Sequence, residues 1–258
     1  GSYTLDLFTN VTTDKHVTVT FSNTSSSVVV HHYLKDSTTK VAEDDMITGI
    51  IGETYTTVPH IDLEDYELEK DSSGNFILPA NASGTFVADQ TEVIYYYVEK
   101  EIPLVVHHYI EGTEESVPLA TGGVAEDEMY SGKKGEEYTT EALSIDELSP
   151  AYEFTEVLGN ATGIYEGTDV EVTYYYKIKT FDITTKVDGE GGSISGQNEN
   201  PYEEVEYNET NTKEIVITPE EGYEVEKITV NGEEIEFTPN RDNTVDLNKF
   251  TNITENKD

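Results

Sequence analysis

Val29-Val30-His31-His32-Tyr33 returns 76 residues later as Val105-Val106-His107-His108-Tyr109, and this repetition decides how the rest of the chain is read. Four further correspondences follow in the same order. Val41-Ala42-Glu43-Asp44-Asp45-Met46 matches Val124-Ala125-Glu126-Asp127-Glu128-Met129, and Gly52-Glu53-Thr54-Tyr55-Thr56-Thr57 matches Gly135-Glu136-Glu137-Tyr138-Thr139-Thr140. Asn81-Ala82-Ser83-Gly84 matches Asn160-Ala161-Thr162-Gly163, and Tyr95-Tyr96-Tyr97 matches Tyr174-Tyr175-Tyr176. The offsets run 76, 83, 83, 79 and 79. The second copy therefore gains seven residues around Thr113–Gly123, which is expected of a loop between the first two strands, where extra length costs little.

Within one copy, Val28–Tyr33 and Glu92–Val98 are β-branched and aromatic runs, the composition of strands. Gly49–Thr57 reads as a shorter strand, and Tyr66–Lys70 as an alternating one ended by the turn Asp71-Ser72-Ser73-Gly74-Asn75. Ile61–Asp65 and Ile145–Leu148 have room for one helical turn each, too little for an independent helix.

A VVHHY strand, a Gly-Glu-x-Tyr-Thr-Thr strand, a Tyr-Glu-Leu strand, an Asn-Ala-Ser/Thr-Gly turn and a closing Val-x-Tyr-Tyr-Tyr strand together resemble the MucBP repeat of Gram-positive surface proteins. The resemblance implies a ubiquitin-like β-grasp fold, display outside the cell on a wall-anchored protein, and adhesion to host mucin glycoproteins or glycans. It implies no particular sugar site. The fold class expected is mainly β (α+β at most): tandem small β-grasp modules in an elongated rod, plus a small third β module.

After Thr180 the character shifts. Phe181–Val187, Glu214–Thr218, Val225–Val230 and Glu233–Phe237 read as short strands. Asn231-Gly232 between the last two is a strong hairpin signal for a type I′ turn. The stretch Ile217–Gly232 resembles internalin B-repeat-like surface repeats. Near the end, Thr244–Thr254 echoes Tyr3–Thr12, which at the start runs on into the alternating stretch His16–Phe21. The expected division is then 1–26 for terminal strands of a preceding module, 27–100 and 101–178 for the two repeats, and 179–258 for a third module lacking its last strand. Gly1-Ser2 reads as a vector remnant. A strand at His16–Phe21 could pair with an open sheet edge, so the chain is expected to be a monomer with an option of strand exchange through residues 16–21.

Composition narrows the function. Fifteen Lys and Arg against 53 Asp and Glu give a net charge of −38, the wrong sign for nucleic acid or anionic lipid. No run of about 18 apolar residues exists to insert in a membrane. With no Cys the modules lack disulfides, so repeated small sheets must find rigidity in their packing and in linkers such as 99–103 and 177–180, which are short and Gly-free. No nucleophile elbow, P-loop or HExxH is present, and the chain is expected to be no enzyme, with no catalytic residues.

Three features invite a site. Neighbouring histidines on a strand point to opposite faces, so His31 with His32, or His107 with His108, cannot hold one metal ion together. The recurring acidic residues Glu43, Asp44, Asp45 and Glu126, Asp127, Glu128 are weak Ca2+ candidates, lacking a Gly-spaced loop of converging oxygens; a solvated acidic edge is the plainer reading, and no other cofactor is expected. Tyr95 and Tyr97 share one face and Tyr96 the other, as do Tyr174 and Tyr176 against Tyr175. Tyr95, Tyr97, Tyr174 and Tyr176 are accordingly candidates for stacking on glycans, against a structural use as cross-strand aromatic pairs. The alternative to an adhesive role is a spacer that projects a distal domain from the wall.

Overall fold

The computed structural model describes residues 11–258 and shows two compact units that divide between Lys100 and Glu101. The Tyr3–Thr12 echo lies almost wholly outside the described residues. Residues 11–24 form no strand, and Phe21 is 90% exposed. The strand expected at His16–Phe21 is therefore absent: its alternation finds no partner edge, and an unpaired strand has nothing to hold it extended.

In the first unit, β1 (Ser25–Leu34), β2 (Asp45–Ile50), β4 (Tyr66–Leu68) and β6 (Thr91–Glu99) form a sheet of order β2-β1-β6-β4. The central pair β1 and β6 is parallel, with Val30 opposite Val93 and His32 opposite Tyr95; the outer pairs are antiparallel. β3 (Thr54–Thr56) and β5 (Ser83–Thr85) make a separate two-stranded ribbon. Alternation places Val28, Val30, Val93, Tyr95 and Tyr97 on one face, where they meet Leu68, Tyr55 and Phe86 to form the core.

The stretch read as one strand over Gly49–Thr57 is two, β2 and β3, because Gly52 turns the chain at φ +94. The Asn-Ala-Ser-Gly motif is likewise part turn and part strand. Its Gly84 lies in β5 under the Tyr55 ring, where an added Cβ would meet the phenolic oxygen at 2.8 Å.

The second unit repeats this plan. β7 (Glu101–Ile110), β8 (Glu128–Lys133), β10 (Tyr152–Leu158) and β12 (Val170–Ile178) form the order β10-β12-β7-β8, again with a parallel central pair, while β9 (Glu137–Thr139) pairs with β11 (Thr162–Ile164). Gly163 sits under Tyr138 as Gly84 does under Tyr55.

The bridge Tyr33–Lys40 corresponds to Tyr109–Ser116, and the β1–β2 register to that of β7–β8, so the seven extra residues are 118–124. They fold back as a small hairpin in which Pro118 bridges Val124 and Leu119 bridges Leu148. The insertion thus shapes the core rim, with Val117 and Ala125 buried on either side of it.

No helix occurs among the described residues. Ser144–Leu148 makes a single turn closed by Leu148 N–H on Ser144 O, with Glu147 accepting from Ser144 N and Oγ. Loop residues such as Leu63, Ala142 and Leu143 pack against the cores of their sheets.

Beyond β12 the chain forms β13 (Thr180–Ile183), β14 (Gly192–Ile194), β15 (Glu203–Glu206), β16 (Val216–Pro219), β17 (Ile228–Val230), β18 (Glu233–Ile235) and β19 (Val245–Asp246). Ile183, Val205, Ile215 and Ile253 are its core. β17 and β18 form the expected hairpin, with Asn231 at φ 50 and Gly232 at φ 80, the two positive values a type I′ turn requires. Lys257 bridges Ile183 in parallel, so β13 is flanked on both sides.

Candidate functional site

Both repeats bury the second histidine of the pair. His32 and His108 stand on the core face of β1 and β7, 0% and 2% exposed, because alternation puts them in phase with Val28 and Val30, or Leu104 and Val106. A buried imidazole needs partners. In the first repeat His32 Nδ1 lies 2.8 Å from Tyr97 Oη, which also accepts the backbone N–H of His60 at 2.9 Å. In the second, His108 Nδ1 lies 2.9 Å from Tyr176 Oη, which accepts the N–H of Leu143 at 2.8 Å. A second buried hydroxyl pair accompanies each: Tyr95 with Thr57 and Tyr174 with Thr140, both at 2.8 Å. Each threonine hydroxyl donates to a backbone carbonyl, Ala82 or Ala161, so the tyrosine must be the donor to it.

This overturns the glycan-stacking assignment. Tyr95, Tyr97, Tyr174 and Tyr176 are 0–3% exposed and spend their hydroxyls inside the core, leaving no ring face for a sugar. Burial also pushes the Tyr176 pKa up to about 12, with the Leu143 N–H pulling the other way. Of the first repeat's tyrosine triplet it is Tyr96 that faces out, 41% exposed, beside a shallow depression lined by Lys35, Asp36, Ser37, Thr38 and Glu69. Its counterpart Tyr175 is half-buried.

The acidic candidates are split in the same way. Asp44 and Asp45 fall on opposite faces at the entry to β2. Asp44 pairs with Lys40 at 2.8 Å and lies 3.1 Å from His31 Nδ1, though without hydrogen-bond alignment, while Asp45 meets His32. Asp127 meets His107 and Glu128 meets His108. Glu43 and Glu126 point to solvent. In each repeat the three carboxylates are split between the two histidines and solvent, so they do not converge on one Ca2+.

One arrangement was not legible in the histidine spacing. His60, in the loop after β3, brings its Nε2 to 2.8 Å from Asp45 Oδ2, and His32 Nε2 lies 3.1 Å from the same oxygen. The two imidazole rings are 4.2 Å apart, and the three polar atoms all lie within 4.8 Å of one another. Burial raises the Asp45 carboxyl, but bonds from His32 and His60 outweigh it and hold the group below its ordinary value. Burial lowers His32, a pull that Asp45 only partly offsets, so the ring is neutral near pH 7. With Asp45 ionised, His32 donates through Nε2 and accepts the Tyr97 hydroxyl at Nδ1.

Comparison with known proteins identifies the repeats. The MucBP domain matches residues 27–98 and 108–177, more than half of the chain. Internalin J of Listeria monocytogenes serotype 4b is 30% identical over 189 residues, covering 67% of this chain and 18% of its own length. Internalin J of serovar 1/2a is 28% identical over 185 residues, covering 66% and 20%. The chain thus spans about a fifth of the length of these relatives.

Two solved structures are similar at 10% and 13% identity: domains 3-4 of Streptococcal High Identity Repeats in Tandem from a cell surface protein, and the type 2 repeat of the mucus binding protein MUB from Lactobacillus reuteri. They cover 61% and 60% of this chain and 99% and 100% of their own, with TM-scores of 0.25 and 0.17. The chain belongs to the MucBP domain family, which it enters as a tandem pair of these adhesin-type repeats.

Proposed function

We propose that the chain is a non-enzymatic repeat region of a bacterial cell-surface adhesin that holds mucin-type glycans weakly and gains strength from its number of copies. The observation that carries this reading is the match of two MucBP copies over more than half of the chain. Tyr96 supplies a contact surface: its exposed ring and hydroxyl stand beside Lys35, Ser37, Thr38 and Glu69, a stacking plane next to donors and acceptors. Retention of the intact chain on immobilised mucin tests it. Tyr96→Ala should weaken retention while leaving the melting temperature unchanged, because that ring contributes little to the core. Unaltered retention would remove Tyr96 from the surface, and no retention at high protein concentration would remove the glycan reading.

A spacer role, within a wall-anchored protein, is the second reading, and Lys179 favours it. Its N–H donates to Ala151 O and its carbonyl accepts from Tyr207 N, both at 2.8 Å, so the single residue between β12 and β13 is clamped from two sides. A hinge would leave that backbone free.

A further inference from the structure

We infer that His32, Asp45 and His60 form a binding site for one divalent transition-metal ion of the Zn2+ class, present in the first repeat and missing from the second. The donor set is two imidazole nitrogens and one carboxylate oxygen, which suits zinc and its neighbours and not the oxygen-seeking Ca2+ or Mg2+. Ligands at 2.0–2.1 Å from a tetrahedral zinc stand about 3.3 Å from one another. Asp45 Oδ2 lies 2.8 and 3.1 Å from the two Nε2 atoms, and all three ligand atoms lie within 4.8 Å of one another, so small shifts that lengthen the two oxygen–nitrogen contacts and adjust the rings bring the set to that spacing.

A metal-bound histidine is usually fixed through its other ring nitrogen. Tyr97 Oη does this for His32, and by accepting the His60 N–H it also fixes the loop that carries the third ligand. On binding, His32 takes the tautomer with its proton on Nδ1, donated to Tyr97 Oη, and Nε2 turns its lone pair to the ion. The site is buried at His32 and open at His60 and Asp45, whose side chains are 39% and 49% exposed, which gives the ion an entry and leaves room for water or an outside ligand.

The second repeat supplies the comparison. It keeps the buried His108, its Tyr176 partner and an acidic residue, Glu128, at the position of Asp45. It has Leu143 where the first has His60, and both residues donate their N–H to the equivalent tyrosine. The His–Tyr–acid chain is therefore common scaffolding, and the added imidazole is what distinguishes the first repeat.

Titration of the intact, metal-free chain with Zn2+ by calorimetry tests this, with Co2+ absorption in the visible as the report on imidazole ligation. One ion per chain is expected, undiminished by excess Ca2+. His60→Leu, which copies the second repeat, should abolish both the stoichiometric phase and the Co2+ band while keeping the near-ultraviolet circular dichroism of the fold; His60→Gln does the same if the leucine variant folds poorly. No stoichiometric binding by the parent chain overturns the site. So does binding that survives His60→Leu unchanged, or that Ca2+ displaces, since those results describe diffuse attraction to the acidic surface.

Discussion

Tyr97 and Tyr176 each use one hydroxyl to hold a buried histidine and the backbone of a loop. Removing that oxygen leaves a buried Nδ1 and a backbone N–H without a partner, and such orphaned groups cost about 1–3 kcal/mol. Tyr97→Phe and Tyr176→Phe should each destabilise their own repeat by roughly that amount in denaturant unfolding. Equal stability would mean that water replaces the hydroxyl.

The period-two pattern made it legible that Tyr95 and Tyr97 share a face. It could not say which face is the core, because rings lie on both. The parallel neighbour decides: Val30 and His32 stand opposite Val93 and Tyr95, which closes that side. His60 was not legible at all. It follows the Thr-Thr motif without periodic signal, and only the folded loop brings it to Asp45.

At the scale of elements, the duplicated motifs turn out to encode close approaches between glycine and aromatic rings. A Cβ on Gly49 would lie 2.2 Å from the Phe86 ring, and one on Gly132 would lie 2.2 Å from the Tyr165 ring. Neither ring is a flexible chain end, so Gly49→Ala or Gly132→Ala should cost about 1–3 kcal/mol by overpacking. Thermal melts of the two variants check this, and unchanged melting would show that the rings swing aside freely.

In the third region Glu203 bonds Thr212 N, Thr212 Oγ1 and Lys213 N. Burial raises this carboxyl, the three donors more than reverse it, and the folded group titrates below its ordinary 4.5. Its stabilisation is complete above that value and is lost as pH falls through the lower folded value. Amide exchange at Thr212 and Lys213, corrected for its intrinsic pH dependence, should therefore accelerate as the pH drops below about 4.5, and Glu203→Gln should remove that step.

The Asn231-Gly232 hairpin was fully legible, since the turn type demands those residues. The His16–Phe21 stretch misled because alternation states a preference and cannot supply a partner edge. The seven-residue insertion was legible in size but not in place, because only backbone pairing distinguishes 118–124 from the loop before it.

For the whole chain, charge and copy number set the terms. A net charge of −38 opposes sialylated or sulfated glycans at long range, so under the proposed adhesive role single contacts would be weak and attachment would depend on many of them. Raising ionic strength should therefore strengthen retention on acidic mucin by screening repulsion, and a loss of retention with salt would reverse the assigned sign. The most direct measurement is the attachment of beads carrying the intact chain at graded surface density to mucin, before and after enzymatic removal of its glycans. Attachment should climb steeply with density and disappear with the glycans. Attachment absent at every density, or indifferent to glycan removal, would contradict it.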